Sequence, residues 1–435
     1  MSDVDVNGDG PYRECKYPSG ISTLARWSGI MFYMNNRFDN NNFTMTMLKS
    51  FFRTANVSLI VGKIQATRQF SNKSVPSRMR AWCLYHYGKD NTPVLENLDV
   101  QTDLKPNEVL VQVNAASLNP IDALIPEGFG SVLFKSLRKF NKSELPDFPV
   151  VMGRDFSGVV VKKGAQVTRF TEGDEVWGTP AVWRLGTFSE YCCLGQDELA
   201  LKPTNLNHVE AASLPYVHLT MWSALHDASG LTEQNAKNKR VFIVGGSGGV
   251  GNIGIQVMKE WGAHVTTSCS TDAVELVRRL GADDVIDYKT EDVAERIKSE
   301  ARYDVILDSV GGNLKYFSNK QGMSCSKSTY VTLMPPMLEY IDESGLAVGA
   351  LKSAGTFFGM ALRQRLNSNI DYKWGFFQPN SAALNYLGSL LNHGKVVPVI
   401  DSVYPFSDLP KAFEKLNQGH LRGKVVVDFQ THSKD

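Results

Sequence analysis

The chain has 435 residues, of which 43% are hydrophobic and 21% are charged, so it can bury a large core and is expected to form two domains. Its 46 Lys and Arg residues nearly balance 45 Asp and Glu residues, for a formal net charge of +1. This balance supplies no overall field for a polyanion and argues against nucleic acid as the main partner. No stretch reaches the roughly 18 to 20 uninterrupted apolar residues of a membrane-spanning helix, so no transmembrane segment is predicted.

The charge of the first part of the chain is uneven. No Asp or Glu occurs between Asp39 and Asp90, whereas Lys and Arg recur throughout that stretch. From Met47 to Ser71 the sequence is basic, rich in hydroxyl groups and free of acids, which is typical of a mitochondrial transit peptide. It ends at Arg68 to Ser71 in a sequence similar to matrix peptidase cleavage sites. An ordinary basic leader is the alternative.

Acidic residues close to Met1 conflict with a transit peptide that begins there, so an internal start at Met45 or Met47 is expected. These acids are Asp3, Asp5, Asp9 and Glu14. Residues 1–78 are therefore interpreted as a leader that directs the protein to the mitochondrial matrix, and the folded part is expected to begin near Met79.

The predicted secondary structure divides the remainder of the chain into a β-rich part and a part in which strands and helices alternate. Short β-rich segments at 80–85, 108–116, 156–162 and 174–178 predict a β-rich first domain over residues 79–206. Over residues 207–370, candidate strands at 240–244, 264–268, 284–286, 303–307 and 329–333 alternate with helical segments such as 250–261 and 272–280. This alternation predicts an α/β fold with a doubly wound parallel sheet. Residues 371–435, with helices near 384–391 and 409–417 and strands at 396–403 and 423–429, are predicted to return to the first domain.

A glycine-rich turn follows the predicted strand 240–244. Gly246, Gly248 and Gly251 form Gly-x-Gly-x-x-Gly between this strand and a helix. The glycines permit a tight turn and close backbone approach, while the free N–H groups and the dipole of the helix N-terminus favour a pyrophosphate. A turn without a ligand is the alternative, but the βα units that follow favour dinucleotide binding.

The end of the second strand bears on the choice between NADPH and NADH. An NAD-specific site usually has an acid there for the ribose hydroxyls, whereas this chain has Ser268-Cys269-Ser270. No carboxylate is expected at this point to repel a 2′-phosphate. Ser270 can donate to that phosphate, and Tyr288 with Lys289 could close over it, so the cofactor is predicted to be NADPH. A packed aromatic at a strand end is the alternative for Tyr288.

The six cysteines are scattered and include no Cys-x-x-Cys pair. This usage suggests a reducing compartment and offers no zinc framework. Cys192 and Cys193 are adjacent on a predicted strand and would point to opposite faces, so buried thiols are expected there and not a redox pair.

Several motifs between residues 79 and 429 together resemble one family. They are Asn-Ala-Ala-Ser-Leu-Asn-Pro-Ile-Asp at 114–122, Gly-Arg-Asp-Phe-Ser-Gly at 153–158, Gly-Asp-Glu-Val-Trp-Gly at 173–178, Ala-Ala-Ser-Leu-Pro at 211–215, the glycine loop, Leu-Gly-Ala-Asp-Asp-Val-Ile-Asp-Tyr at 280–288 and Asp-Ser-Val-Gly at 308–311. With them the chain resembles the zinc-less quinone oxidoreductases of the medium-chain dehydrogenase/reductase superfamily, most closely the mitochondrial reticulon-interacting branch. The resemblance implies a GroES-like β-rich catalytic domain interrupted by a Rossmann domain, with the active cleft between them.

The resemblance also implies chemistry without a metal. Zinc-dependent relatives carry a Cys near Leu118-Asn119-Pro120 and a Gly-His-Glu where this chain has Gly153-Arg154-Asp155, so no metal site is expected. Without a Lewis acid, a quinone or activated alkene is the easier hydride acceptor because conjugation spreads the developing charge. The expected function is hydride transfer from NADPH to such an acceptor, and the branch implies a link to ubiquinone biosynthesis.

Carried over onto this sequence, the family's cofactor contacts fall at the glycine loop, the adenosine phosphate, two strand ends and a C-terminal turn. They are Ser247, Gly248, Gly249, Val250, Ser270, Tyr288, Val310, Leu333, His420, Leu421 and Arg422. Thr220 and Phe358 are weaker candidates near the nicotinamide. For His420 and Arg422, a solvated surface position is the alternative.

Asn119, Asp122 and Tyr191 fall in the substrate-side motifs, and no general acid is assigned. Each has a structural alternative, since Asn119 with its proline can shape a turn, Asp122 can cap a helix and Tyr191 can face the core. Arg154 puts a cation in or beside the pocket, where it either attracts an acidic substrate or pairs with Asp155.

Two rival functions stay open. One is an NADPH-binding interaction or regulatory protein with little turnover, for which the aromatic stretch 357–377 offers a partner surface, although a dimer edge or a substrate channel is favoured for that stretch. The other is an enoyl-thioester reductase, which the same scaffold supports. The expected partners are a quinone or enone, reticulon-type or ubiquinone-biosynthesis proteins, and a second copy of the chain in a homodimer.

Overall fold

The structure, a computed structural model, describes residues 75–431 apart from residues 89, 90, 142, 144, 301 and 319–326. The predicted leader over residues 1–78, with its internal start at Met47, lies almost entirely outside the described residues. The transit peptide therefore stays a prediction.

The first part of the described chain is β-rich. Its strands are β1 (Arg78–Leu84), β2 (Val94–Asp99), β3 (Glu108–Ser117), β4 (Val150–Val151), β5 (Phe156–Lys163), β6 (Glu175–Gly178), β7 (Tyr191–Gly195) and β8 (Leu199–Leu201). The strands β2, β1 and β4 form a small antiparallel sheet, while β3, β5, β6 and β8, with β7 paired to β3, belong to a seven-stranded sheet. The predicted strands of this part are confirmed, and helices α1 (Pro120–Leu124) and α2 (Ser131–Phe140) follow β3.

Alternation along β3 explains how this half builds its core. Val109, Val111 and Val113 enter one buried cluster, whereas Leu110 between them enters another. Successive side chains of a strand point to opposite faces, so β3 packs apolar residues on both sides. It is a central strand, with β5 and β7 as antiparallel neighbours.

The middle of the chain forms a six-stranded parallel sheet. Its strands are β9 (Arg240–Val244), β10 (His264–Cys269), β11 (Asp284–Asp287), β12 (Val305–Asp308), β13 (Ser328–Thr332) and β14 (Ile370–Trp374), in the order β11-β10-β9-β12-β13-β14. This is the strand order of a Rossmann fold, in which the crevice beside β9 is the usual ligand site. Val241 and Ile243 enter the core on one face and Phe242 enters the core on the other, so helices cover both faces.

Helices precede, connect and follow the strands of this parallel sheet. They are α3 (His208–Ala212), α4 (Pro215–Met221), α5 (Gly249–Glu260), α6 (Val274–Arg279), α7 (Val293–Ser299), α8 (Leu314–Phe317), α9 (Met337–Ser344), α10 (Leu346–Ser368), α11 (Ser381–Asn392) and α12 (Leu409–Asn417), with a π-helical turn at Trp222–Ala228. The predicted helices at 250–261 and 272–280 correspond to α5 and to α6 with its preceding turn. No helix in the described ranges is long and apolar enough to span a membrane.

The chain returns to the β-rich half later than predicted. Strand β14 pairs with β13 in the parallel sheet, and α11 packs into the core of that sheet through residues such as Leu384 and Leu387. Only β15 (Ile400–Pro405) and β16 (Lys424–Asp428) join the seven-stranded sheet, where β16 pairs with β3. The limit predicted at residue 371 thus falls inside β14, whose alternation of Ile370 and Tyr372 with charged residues is a weak strand signal. The limits at residues 78 and 206 stay predictions.

Candidate functional site

The glycine loop joins the carboxyl end of β9 to the N-terminus of α5. A Cβ atom at Gly246 would lie 2.1 Å from Thr267 Oγ1, and one at Gly251 would lie 2.3 Å from Gly245 O. Side chains are therefore excluded at both positions by the packing of the loop itself. Gly248, the N-cap residue of α5, receives no side-chain cap, and a Cβ there would meet only Gly245 O at 3.6 Å.

This loop fits a dinucleotide pyrophosphate. The first-turn N–H groups of α5 have no capping side chain, and the space beside Gly248 is open. Backbone donors at a helix N-terminus, together with the helix dipole, form a site for a phosphate. The predicted residues Ser247, Gly248, Gly249 and Val250 all belong to this turn.

A second segment, residues 420–423, lies directly against the glycine loop. Gly423 N donates to Ser247 O (3.0 Å), and Gly248 forms an isolated parallel bridge with Gly423. His420 holds a positive φ of 51°, and Leu421 packs on the core of the β-rich half. The structure thus brings the predicted C-terminal residues to the loop.

Ser270 and Arg422 meet at an unpredicted carboxylate. Ser270 Oγ donates to Asp272 Oδ1 (2.5 Å), and the Arg422 guanidinium binds the other oxygen of Asp272. These hydrogen bonds, first from Ser270 and then from Arg422, lower the pKa of the Asp272 carboxyl. The expectation that no carboxylate is available beside Ser270 is therefore wrong, because the turn Thr271–Ala273 carries Asp272 back toward the strand end.

Tyr288 and Lys289 stand at the end of the neighbouring strand β11. Tyr288 N donates to Cys269 O (3.1 Å), so this residue follows β10 closely. Its ring is half-exposed, and Lys289 Nζ lies 5.6 Å from the ring centre. The exposed ring does not support the alternative of a packed aromatic.

The residues predicted for the nicotinamide side occupy later strand ends. Val310 follows β12 and is 60% exposed, and a Cβ at Gly245 would lie 2.8 Å from Val310 Cγ2. Leu333 follows β13 and is partly buried against the core. Thr220 lies on α4, where its hydroxyl donates to Tyr216 O (2.7 Å). Phe358 lies on α10 beside Phe357, with ring centres 5.7 Å apart.

Asn119 and Asp122 form part of a buried polar network around Asp155. Asn119 Nδ2 donates to Asp155 Oδ2 (2.7 Å), and Lys424 Nζ lies 3.1 Å from the same oxygen. Ser117 Oγ donates to Asp155 Oδ2 as well (2.8 Å). Asn119 N donates to Asp122 Oδ2 (2.9 Å) at the N-terminus of α1. Asp122 therefore caps this helix, as its structural alternative predicted.

Burial raises the pKa of Asp122 to about 6, although Arg154 nearby opposes that shift. Its other oxygen accepts from Gly153 N (3.2 Å). Asp122 therefore joins α1 to the segment that precedes β5, and its carboxyl changes charge near neutrality.

Tyr191 lies apart from this network. It starts β7, opposite Gln112 of β3, and packs on the small cluster of Met79, Val100 and Leu110. Burial raises the pKa of its phenol. The structure brings Asn119 and Asp122 together but places Tyr191 with core residues of the β-rich half.

Lys424 and Asp155 are the central residues that sequence reasoning did not single out. Lys424 Nζ also donates to Asn119 Oδ1 (2.5 Å), and a Cβ at Gly249 would lie 2.9 Å from Lys424 Cδ. The lysine side chain therefore runs from the glycine loop to the buried network. In the sequence, only the position of Lys424 two residues after the predicted cofactor contact Arg422 pointed to a role in the site.

Comparisons with known proteins agree with this architecture. Residues 105–204 match the family described as "Alcohol dehydrogenase GroES-like domain", and residues 280–427 match the family described as "Zinc-binding dehydrogenase". The chain is 44% identical to "NAD(P)H oxidoreductase RTN4IP1, mitochondrial" of Mus musculus, over 80% of this chain and 89% of that protein. It is 33% identical to "NADPH-dependent alkenal/one oxidoreductase, chloroplastic" of Arabidopsis thaliana, over 91% and 90%.

Among solved structures, the quinone oxidoreductase of Coxiella burnetii superposes with a TM-score of 0.63 at 28% identity, over 81% of this chain and 100% of that chain. A GroES-like half and a Rossmann sheet with a glycine loop define the medium-chain dehydrogenase/reductase class. Within that superfamily, the chain belongs to the RTN4IP1 family of NAD(P)H oxidoreductases.

The donors present at the buried network do not fit zinc. Asp155 is already bonded to the Lys424 ammonium, and the Arg154 guanidinium is buried close by, so a dication would meet two cations. No three His, Cys, Asp or Glu side chains in the described ranges are grouped to hold a metal ion. Cys192, with its thiol pKa raised by burial, lies within the core of the β-rich half.

Proposed function

We propose that the protein transfers hydride from NADPH to a quinone or an activated alkene without using a metal. The observation that carries this proposal is the meeting of two sites at Lys424, whose side chain lies beside Gly249 and ends at Asp155 and Asn119. The glycine loop and the buried polar network are thereby held side by side, and hydride transfer requires such proximity between a cofactor and its substrate.

The loop residues Ser247 to Val250 would hold the pyrophosphate at the N-terminus of α5. Ser270, Tyr288 and Lys289 would hold the 2′-phosphate together with Arg422, which supports NADPH as the preferred cofactor. At this point Arg422 binds the carboxylate of Asp272, while Lys289 lies over the Tyr288 ring and its backbone N–H donates to the neighbouring carboxylate of Asp287 (3.0 Å). The name of the Arabidopsis relative, an NADPH-dependent enzyme, supports the same choice.

When bound, NADPH supplies the hydride, and the residues of this chain orient it and exclude water. Val310 and Leu333 offer apolar side chains at the ends of β12 and β13. Val310 lies next to Gly245 of the glycine loop, and Leu333 packs on the core. Tyr216 stacks on Phe377 with ring centres 4.5 Å apart, and Tyr216 N donates to Asp155 Oδ1 (2.5 Å). The hydrogen bond from Tyr216 N links the stacked rings of Tyr216 and Phe377 to the polar network around Asp155.

The substrate class follows from the chemistry of the pocket. With no fitting metal, the acceptor must delocalise the incoming charge by conjugation. Two similar proteins carry names that mention such acceptors, a quinone and an alkenal or alkenone. The mitochondrial names of similar proteins and the basic leader support import of this protein into the mitochondrion. We propose that it resides in the matrix and takes part in ubiquinone biosynthesis.

Stopped-flow absorbance of the reduced nicotinamide in the full-length protein would test this proposal. Each cofactor would be mixed with protein and a short-chain ubiquinone analogue, then with an enone and with an enoyl thioester. We expect NADPH oxidation with the quinone or the enone and slower oxidation of NADH. Binding of NADPH without turnover of any acceptor would contradict the proposal and favour the interaction protein, whereas turnover of the thioester alone would favour the enoyl-thioester reductase.

A further inference from the structure

Arg154 is a buried cation without hydrogen-bond partners for two of its nitrogens. The residue is 3% exposed, and among the described residues neither Nε nor Nη1 finds an acceptor. Its guanidinium carbon lies 5.7 Å from the centre of the Phe134 ring. Because an unpaired buried N–H group is costly, and more so when it is charged, this pair of donors calls for an acceptor.

The two neighbouring carboxylates are not that acceptor. Asp155 is bonded by Lys424, Asn119 and Ser117, and on its other oxygen by Tyr216 N. Asp122 accepts from the backbone N–H groups of Asn119 and Gly153. The alternative in which Arg154 pairs with Asp155 is therefore wrong, because neither of these two carboxylates accepts a hydrogen bond from the Arg154 guanidinium.

The charges around Arg154 favour an anionic oxygen. The titratable groups that act on it are Asp122, Tyr216, Arg138 and Tyr87. Arg138 is a second buried guanidinium, so that Arg154, Arg138 and Lys424 are opposed by the two carboxylates of Asp122 and Asp155. Arg154 also adjoins Asp155, which contacts Lys424 beside the glycine loop, and this places the surplus positive charge at the junction with the cofactor site.

We propose that Arg154 is the group that recognises the substrate, donating from Nε and Nη1 to the carbonyl oxygen of the conjugated acceptor. This inference rests on the proposed function. Hydride leaves the reduced cofactor with the electron pair of its C–H bond and forms a new C–H bond at the β-carbon of the conjugated acceptor. The C=C π pair becomes the new double bond to the carbonyl carbon, and the carbonyl π pair moves onto the oxygen. Arg154 stabilises that oxyanion, the cofactor is oxidised by two electrons, and solvent provides the proton that completes the reduction. A guanidinium suits this role because it stays charged and presents two parallel donors.

Arg154→Gln in the full-length protein tests the role by kinetics. We expect kcat with a quinone or enone to fall about 100-fold, as for the loss of an oxyanion donor, while the Kd of NADPH stays unchanged. Arg154→Lys keeps the charge without the two-donor geometry and should recover part of kcat. Arg302→Gln is the matched control, since it removes a partly buried arginine whose partners, Ser328 and Asn369, lie outside the site. A kcat of Arg154→Gln equal to that of the Arg302→Gln control would overturn the proposal.

A spectroscopic measurement separates this inference from the proposed function. With oxidised cofactor present, 4-nitrophenol serves as a mimic of the oxyanion, and its absorption reports whether it is bound as the phenolate. We expect the wild-type protein, but not Arg154→Gln, to bind it in the ionised form. Ionised binding that needs Arg154 in a protein without turnover would refute the proposed function alone, whereas turnover with no effect of Arg154 on the probe would refute this inference alone.

Discussion

Gly248 separates the stability of the glycine loop from its capacity to bind a phosphate. Its backbone angles, φ −77° and ψ 171°, are open to any residue, and the space at its Cβ is free. We expect Gly248→Asp to fold with an equal or higher Tm, since Asp is a favourable N-cap. NADPH affinity should fall by at least about tenfold, or ~1.4 kcal/mol, because the carboxylate occupies the N–H groups and repels the pyrophosphate. Calorimetric titration with NADPH measures this effect.

The neutral variant Gly248→Asn is the control for that measurement. It caps the helix in the same way but adds no charge. The loss of NADPH affinity should therefore be clearly smaller than for Gly248→Asp. Equal affinities of Gly248→Asp and the wild type would contradict a phosphate site at this loop.

Asp272 is expected to set the ratio of NADPH affinity to NADH affinity. Its carboxylate already occupies Ser270 and Arg422, so a 2′-phosphate has to displace it and then remain close to a like charge. We expect Asp272→Asn to raise NADPH affinity on the order of threefold and to leave NADH affinity unchanged or lower. The Kd values of both cofactors are to be compared at one ionic strength, because these groups are exposed.

Glu275→Gln provides the matched control for Asp272. Glu275 is an exposed acid in the first turn of α6, the helix that follows the turn of Asp272, so its removal changes the net charge by the same amount. A general electrostatic effect would raise NADPH affinity equally in both variants. Only a larger gain in Asp272→Asn agrees with displacement of the Asp272 carboxylate from the phosphate site.

At the scale of elements, the packing of α4 against α11 introduces a pH dependence. His218 on α4 is fully buried, and its Nε2 lies 3.0 Å from Ala383 O on α11. Burial lowers the pKa of this imidazole to about 4, although the hydrogen bond to Ala383 opposes the shift. Between an unfolded-state pKa of about 6.5 and this value, only the unfolded chain binds the proton.

The contribution of His218 to stability should therefore be fully present above about pH 6.5 and be lost as the pH falls toward 4. The loss amounts to at most about 3 kcal/mol. We expect His218→Gln, which can still donate to Ala383 O, to show a smaller decrease in the free energy of unfolding between pH 7 and pH 4.5. Urea unfolding at both pH values measures it. The exposed His393→Gln serves as the control and should behave like the wild type.

The elements themselves differ in how readily the sequence predicts them. Strand β9 has a run of apolar residues, Val241 to Val244, next to glycines, and this local pattern suffices to place it. Strand β14 escaped prediction because it lies at the edge of the sheet, where β13 is the only strand paired with it in the part of the chain that the structure describes. Asp371 and Lys373 alternate along it with buried Ile370 and Tyr372, and only its pairing with β13 identifies it as part of the parallel sheet.

At the scale of the whole molecule, Lys424 connects regions that are far apart in sequence. It is 5% exposed and contacts Asp155, which lies 269 positions away in the chain. We expect Lys424→Met to lower the free energy of unfolding by about 3 to 5 kcal/mol, because Asp155 would then be a buried charge without its partner. Urea unfolding at pH 7 measures this loss.

The double variant Lys424→Met with Asp155→Asn shows whether the ion pair is the cause. Removal of both charges should restore part of the lost stability, because no uncompensated carboxylate remains. A double variant that is less stable than Lys424→Met alone would show that other contacts of Asp155 dominate.

The sequence by itself determined the two kinds of sheet and the glycine loop, and it supplied the residues that are predicted to bind the cofactor. These features depend on signals between near neighbours, namely the alternation of apolar residues, the spacing of glycines and the motifs that resemble one family. Asn119 and Asp122 were found in the same way, because the turn and the helix cap that they form are local.

Only the tertiary structure decided which charges meet. It pairs Arg422 with Asp272, 150 positions apart, and joins Lys424 to Asp155, so that Arg154 has no carboxylate of its own. It also moves Tyr191 away from the polar network and keeps β14 in the parallel sheet. Long-range partners depend on how the sheets and helices pack, and no pattern among neighbouring residues encodes that packing.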